Sequence, residues 1–365
     1  MIVFGLTAFD NALAVLYTVT PRDEKIAPAP SPVALIRALL LPTSRYDQQR
    51  IYGLRDAVLR LKKKSRSFYV ASGTFTGKLR IDLILLYSFC RVADDLVDNA
   101  SSVEEAKDWI RKLKQFLDTS YGGEAAPAKV PELVASNFPE TARSALLLLP
   151  TRYLSQQPLY DLLKGFEMDL QFSEHSKNEG DPVQTEADLE LYSARVAGTV
   201  AHLCLDLVFH HTEEQVTPAT KARLSKAGES MGIALQLVNI SRDVAVDARM
   251  KRVYLPTVWL DEVGLNTNAV VKNPSGERID ALRQRLLKKA FAIYQASRSS
   301  IEQLPDIAKG PMRVAVESYM EIGRVLQEGH YPTKQGKATV PKWRRVLVAW
   351  KALNGGVATR SEHQP

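Results

Sequence analysis

Apolar residues recur at intervals of three and four through most of the chain. The stretches VALIRALLL, QQRIYGLRDAVLRLKK, GKLRIDLILLYSFCRVADDLVD and VEEAKDWIRKLKQFLD carry this period. So do ADLELYSARVAGTVAHLCLDLVF, KARLSKAGESMGIALQLVNISRDVAVDA, RIDALRQRLLKKAFAIYQASRSSIEQL and VAVESYMEIGRVLQEG. Such spacing gathers the apolar side chains on one face of a helix. Strict alternation bounded by turn residues, the mark of strands, is missing, so the pattern predicts an all-α chain. Start signals agree with it: Ser101-Ser102 precede Val103-Glu104-Glu105 as a helix cap would, and Pro311 is placed to open the last long helix. Residues 121–130 and 266–277 read as loops by composition. No Pro/Gly/Ser-rich linker divides the run, so residues 31–353 are expected to form one domain, followed by a tail at 354–365.

The first 30 residues break this pattern. MIVFGLTAFDNALAVLYTV is the most hydrophobic window in the chain, but it lacks the basic start of a signal peptide. Asp10 and Asn11 at its centre weaken it as a membrane span, where a central Asp costs about 3 kcal/mol. TPRDEKIAPAPSP follows with four prolines, so residues 1–30 are expected to lie outside the helical domain.

Two helices carry polar residues at the same period. In LLYSFCRVADDLVD, Tyr87, Arg91, Asp94 and Asp98 recur every three or four positions and share one face; Asp95 sits one position off it. Like charges at i and i+4 weaken a helix by a few tenths of a kcal/mol, and no lysine follows to neutralise them. The alternative for this segment alone is a solvated acidic helix end. In GIALQLVNISRDVAVDARMKRVYLP, Gln236, Asn239, Asp243 and Asp247 form a second stripe, flanked by the core-forming Ile233, Leu237, Val238 and Ile240. Two helices presenting oxygen donors at this spacing can clamp divalent cations between them. Oxygen ligands completed by water and substrate phosphate suit Mg²⁺, with Mn²⁺ as the alternative ion. Zinc would call for His or Cys, and none of the six histidines lies in either stripe. His210-His211 reads as ordinary surface at a helix end.

Magnesium held in this way bridges a diphosphate and neutralises it as it leaves. Arg91, Arg242 and the Ser65, Arg66 and Ser67 of SRSFYVAS offer donors for the anion. The carbocation left behind needs a dry pocket with aromatic faces, for which Tyr69, Tyr87, Tyr192 and Tyr319 are candidates.

A net charge of +7 suits anionic partners, but the basic residues are scattered and no motif interleaves them with aromatics as a nucleic-acid binder would. Two cysteines, Cys90 and Cys204, make no disulfide framework and point to a reducing compartment. The sequons at Asn99 and Asn239 fall inside the two acidic helices and are discounted.

SRSFYVAS, YSFCRVADDLVD, GFEMDL, YSARVAGTVAHL and GIALQLVNISRDVAVDARMKRVYLP, in that order, resemble the squalene/phytoene synthase family. Within it the chain is most similar to the phytoene synthase half of fungal bifunctional lycopene cyclase–phytoene synthases. The resemblance covers roughly residues 35–340, and residues 1–20 resemble the tail of the fused cyclase. It implies an isoprenoid-synthase-type helical bundle around a central cavity. It further implies head-to-head joining of two geranylgeranyl diphosphates, through the cyclopropyl intermediate prephytoene diphosphate, to phytoene. By the same resemblance Asp94, Asp98, Asn239, Asp243 and Asp247 would ligate Mg²⁺. Ser65, Arg66, Ser67, Arg91 and Arg242 would hold diphosphate, and Tyr87, Tyr192, Gln236 and Tyr319 would line the site. The implied setting is intracellular: a peripheral position on the cytosolic face of a membrane, near other carotenoid-pathway enzymes. Lys251 departs from the family, which often has glycine there; this leaves the mobility of the following segment open. His202 stands where relatives often carry Glu.

Other signals carry less. GTFTGK (73–78) is one residue short of a phosphate-binding loop, and Leu79 stands where Ser or Thr must ligate Mg²⁺. VAGTV follows no strand and reads as a kink or small-residue contact near the substrate tails. Glu167 and Asp169 are either polar positions on an apolar helix or supports for the site. WRRVLVAWKAL (343–353) is amphipathic and basic, with two tryptophans; it either rests on a membrane surface or packs on the body, and greasy substrate and product favour the membrane. A squalene or dehydrosqualene synthase acting on farnesyl diphosphate, or another terpenoid enzyme, is the alternative function. Squalene formation would also need NADPH; none is expected for the phytoene synthase reading, and the absence of a dinucleotide fingerprint decides little, because this family uses none. A scaffold derived from a dead synthase is disfavoured, because every expected Mg²⁺ ligand is present.

Overall fold

The computed structural model describes residues 48–123, 126–174, 181–329, 333–334 and 337–355. The segments read above as 1–30 and as a helix at 31–41 therefore lie outside the described residues, as does most of the tail.

The described chain is helical, as its periodicity predicts. It runs α1 (Gln48–Lys64), α2 (Arg66–Ser72), α3 (Gly77–Asp98), α4 (Val103–Tyr121), α5 (Val130–Asn137), α6 (Glu140–Leu147), α7 (Gln156–Glu174) and α8 (Glu186–Ser193). A π-helical turn, Ala194–Gly198, joins α8 to α9 (Thr199–His211). There follow α10 (Pro218–Arg249), α11 (Thr257–Glu262), α12 (Thr267–Lys272), α13 (Glu277–Ser297), α14 (Asp306–Gln327) and α15 (Lys342–Leu353). The one departure from all-helix is a minimal antiparallel pair, Thr333–Lys334 with Lys337–Ala338.

Local chemistry explains the boundaries. Ser102 caps α4 by accepting from the Glu105 amide at 3.1 Å, and Glu105 answers by accepting from the Ser101 amide at 2.7 Å. Thr185 and Asp188 form a reciprocal capping box on α8. Two boundaries differ from the sequence reading. The 266–277 stretch contains α12, because Asn266 caps it by accepting from the Ala269 amide at 2.9 Å. The last long helix begins at Asp306, five residues before Pro311, which lies buried inside it at the loss of one backbone hydrogen bond.

The apolar faces build two large cores. One joins Leu237, Val238 and Ile240 of α10 to Leu286, Leu287 and Ala290 of α13 and Met320 of α14. The other joins Leu86 and Phe89 of α3 to Leu113 and Phe116 of α4, Leu159 and Phe166 of α7 and Leu203 of α9. Gly232 lets α10 approach the π turn: a Cβ there would lie 2.6 Å from the Ala197 carbonyl oxygen and 2.8 Å from the Gly198 Cα. This is the small-residue contact that VAGTV suggested. Of His210-His211, His210 is exposed as expected, but His211 is half-buried. His211 Nε2 lies 2.7 Å from a carboxylate oxygen of Asp82 on α3, and the His210 ring stacks on Tyr153 at 3.6 Å, which ties the end of α9 into the bundle.

Candidate active site

A cavity of about 680 Å³ opens where the two cores meet, lined by residues of both. That volume is within the ~300–1,000 Å³ usual for small-molecule sites. Its walls are mostly apolar: Leu83, Leu162, Phe166, Leu224, Met231 and Leu304 are among them. At the polar end both acidic stripes reach it. Tyr87, Arg91, Asp94 and Asp98 of α3, and Gln236, Asn239, Asp243 and Asp247 of α10, all line the cavity.

Arginines hold the acids in place. Arg91 Nη1 lies 3.0 Å from Asp94, while its Nη2 donates to Asp95. Asp95 is absent from the cavity wall and also accepts from Lys64 at 3.2 Å, in keeping with its position off the stripe. Burial, reinforced by the charge of Asp98, lifts the Asp94 carboxyl to about 7. Arg242 donates to both oxygens of Asp243, at 2.8 and 2.6 Å, and to the Asn239 side-chain oxygen at 2.5 Å. The Tyr319 hydroxyl donates to that same oxygen at 2.9 Å. Arg242 thus braces the acids from behind and does not line the cavity.

Three rings border the acids. Phe68 stacks on Tyr319 at 5.3 Å and meets Tyr87 edge-on at 6.4 Å. Burial pushes the Tyr87 hydroxyl up to about 12, so it stays a neutral phenol. Tyr192 also lines the cavity and stacks on Tyr254 at 4.7 Å. Cys90 and Cys204 face the apolar part, where burial pushes both thiols up and leaves them unreactive.

The chain closes over the acids just after α10. Lys251 adopts φ +60°, the left-handed conformation that glycine favours. The Lys251 amide donates to Ala248 at 3.0 Å and the Arg252 amide to Asp247 at 2.9 Å. These two bonds form a Schellman cap with lysine in the glycine position. The turn sends Arg252 back over the cavity, where it donates to Asp98 at 2.8 Å and lies 3.9 Å from Asp169. Asp169 accepts from Tyr254 at 2.7 Å and from Tyr192 at 3.3 Å; burial lifts its carboxyl to about 6.

Not every expected residue reaches the cavity. Ser65, Arg66 and Ser67 sit at the start of α2 outside its wall, where Ser65 caps the helix toward the Phe68 amide at 3.5 Å. Tyr69 is also outside, beside Lys62. Of the Glu167/Asp169 pair only Asp169 enters; Glu167 is exposed. Arg252, Tyr254 and Phe68 were missed as site residues, although all three lie in the quoted motifs.

The donor set fits divalent ions. Four carboxylates and an amide oxygen approach one cavity from two helices, all hard oxygen ligands. Among the described residues no three His, Cys, Asp or Glu side chains converge tightly enough to hold an ion by themselves. Ions here would need oxygens from water and from a phosphorylated ligand, which is how Mg²⁺ is commonly held.

Fold and site together define an α-helical bundle with an acid-ringed apolar cavity. Solved structures share the fold: a dehydrosqualene synthase (24% identity, TM-score 0.65, covering 84% of this chain and 98% of that one), and a squalene synthase from Alicyclobacillus acidocaldarius (16%, TM-score 0.58, covering 79% and 96%). The squalene/phytoene synthase family profile matches residues 61–344, and the chain belongs to that family. Bifunctional lycopene cyclase/phytoene synthases from Phaeosphaeria nodorum and Leptosphaeria maculans are 55% and 56% identical over 358 and 354 residues, or 98% and 97% of this chain. The chain spans about 60% of the length of each.

Proposed function

We propose that residues 31–353 form one catalytic unit that condenses two molecules of geranylgeranyl diphosphate head to head, through prephytoene diphosphate, to phytoene. The observation that carries this is two acidic rows, on α3 and α10, meeting at one end of an otherwise apolar cavity. High identity to proteins whose names include phytoene synthase supports the choice of substrate.

The chemistry asks for three things. The C1–O bond of one substrate must break with its electron pair leaving on diphosphate. The double bond of the second must then attack the allylic cation, with loss of a proton. The cyclopropyl product must finally lose its own diphosphate with the bonding pair, rearrange, and give up a second proton to become the neutral hydrocarbon. Arg91 and Arg252, both on the cavity wall, are placed to receive diphosphate oxygens; the guanidinium fork suits them. Phe68, Tyr87 and Tyr319 turn ring surface toward the same end, where a cation would form. The apolar walls exclude the water that would quench it. Asp94 and Asp98 on one side, and Asn239, Asp243 and Asp247 on the other, would hold Mg²⁺ or Mn²⁺, which neutralises the departing diphosphate. A lipid substrate and product suit a position at a membrane surface.

Product analysis tests this reading. The chain incubated with geranylgeranyl diphosphate and Mg²⁺ is expected to yield phytoene, and Asp94→Ala and Asp243→Ala to yield none. Turnover of farnesyl diphosphate alone would move the chain to the squalene or dehydrosqualene branch.

A further inference from the structure

The helix α15 has the build of a membrane-surface anchor already seated on the body. Its outward stripe is apolar: Trp343 (68% exposed), Val346 (68%), Leu347 and Trp350 (61%), with Leu353 at its edge. At 100° per residue these five span an arc of about 120°, its centre turned roughly 130° away from the buried Ala349 and Ala352. Lys342 and Lys351, both exposed, flank the stripe on its two sides. The helix has four cations and no acid. One cation is already used: Arg344 donates to Glu328 at 2.8 and 2.7 Å and also to Glu321, clamping α15 to α14. Arg313 adds a bond to the Ala352 carbonyl at 3.0 Å. On the body-facing side of α15, Arg345 lies close enough to Arg66 of α2 for the two to repel.

A soluble surface has no reason to hold two tryptophans and three aliphatic side chains in one outward row on a helix that is otherwise firmly attached. Such a row, flanked by cations and free of acids, matches an anionic bilayer: rings and aliphatics enter the interface while lysines meet the headgroups. Among the described residues no helix is long and apolar enough to cross a membrane, so contact through this face is peripheral. Behind the stripe the cavity is one layer away, because Ala71 and Ala315 line it and pack against the cluster holding Ala349 and Ala352.

We propose that α15 docks this chain on anionic membranes through the Trp343–Val346–Leu347–Trp350 face, leaving the small-residue wall at Ala71 and Ala315 one helix layer from the lipid phase. The inference rests on the proposed reaction only for the need to exchange a lipid substrate and product; its test is read without turnover.

The full chain would be floated with vesicles of 70% phosphatidylcholine and 30% phosphatidylserine, with and without bromine on the acyl chains, in parallel with Trp343→Ser/Trp350→Ser. The chain has four tryptophans; Trp259 is buried and Trp109 half-buried, so changes in emission report on the α15 pair. The expected result is flotation, a blue shift, and quenching by brominated chains. In the double variant the quenching disappears and partitioning falls at least ten-fold, with an unchanged circular dichroism spectrum. Substituting Lys342→Glu/Lys351→Glu should weaken binding to anionic vesicles while leaving the weak affinity for pure phosphatidylcholine. The proposal is overturned if bound chain shows no quenching, if the tryptophan variant binds as tightly as the parent, or if the face is shielded by self-association in lipid-free solution.

Discussion

Replacing Asp94 by asparagine should stabilise the metal-free protein while abolishing its activity. Burial and the neighbouring Asp98 lift the Asp94 carboxyl from 3.8 to about 7, so ionising it in the folded state costs about 4 kcal/mol more than in the unfolded chain. The side chain is 32% exposed, toward the cavity, and water there screens the charge, which cuts the figure to about 2 kcal/mol. The sign follows from linkage. A raised folded-state value contributes stability that is complete below about pH 4 and is lost as pH rises through 7. Asparagine never ionises and escapes that loss. Thermal unfolding without divalent ions should therefore find Asp94→Asn close to the parent at pH 4 and about 2–3 °C more stable at pH 8. Adding Mg²⁺ with inorganic pyrophosphate at pH 8 should reverse the order. A variant less stable than the parent by the same margin at both pH values would refute the reasoning; it would mean that the Asp94 carboxylate is comfortably paired rather than held at a cost for a ligand.

Other substitutions probe the frame around the acids. Gly232→Ala drives a Cβ to 2.6 Å from the Ala197 carbonyl oxygen; a loss of about 1–3 kcal/mol in chemical denaturation is expected, with a raised KM because Ala197 lines the cavity. Lys251→Gly relieves a left-handed lysine and should leave stability unchanged or raise it by up to about 1 kcal/mol. Lys251→Val should lose about 1–2 kcal/mol and lower kcat/KM, because Arg252 depends on that turn for its place over Asp98. Arg252→Gln removes the cation shared by Asp98 and Asp169; kcat/KM should fall at least 100-fold in steady-state assays, and the unfolding temperature at pH 8 should fall too, because two largely buried carboxylates lose their cation. Asp82→Ala strips His211 of its partner and should cost about 1–3 kcal/mol with near-normal turnover per folded molecule.

The acidic rows were legible because a helix repeats every 3.6 residues and the spacing of Asp94 and Asp98, or of Asn239, Asp243 and Asp247, follows that repeat. Periodicity alone could not reach past the helix end. Arg252 and Tyr254 enter the site through the turn at Lys251, and a lysine does not announce a left-handed turn as glycine does. A closer signal lay in the resemblance, which implies glycine at position 251, and Lys251 takes the left-handed backbone that glycine favours. Asp169 could not be told from Glu167 by composition; their opposite fates come from which face of α7 meets the cavity. SRSFYVAS offered hydroxyls and a guanidinium at its start, but in the fold Ser65 serves as a cap, and the members of the motif that line the cavity are Phe68, Ala71 and Ser72. The six-residue α12 escaped notice because it is too short to show a period, leaving the Asn266 cap as its only trace.

The central claim is that α3 and α10 together hold divalent ions around a diphosphate. Anomalous diffraction from crystals of the chain grown with Mn²⁺ and inorganic pyrophosphate tests it most directly. The account predicts anomalous peaks at both acidic rows, ligated by Asp94 and Asp98 on one side and by Asn239, Asp243 and Asp247 on the other, with pyrophosphate oxygens completing each shell. Manganese confined to other surfaces, or pyrophosphate bound in the cavity with no ion at either row, would contradict it.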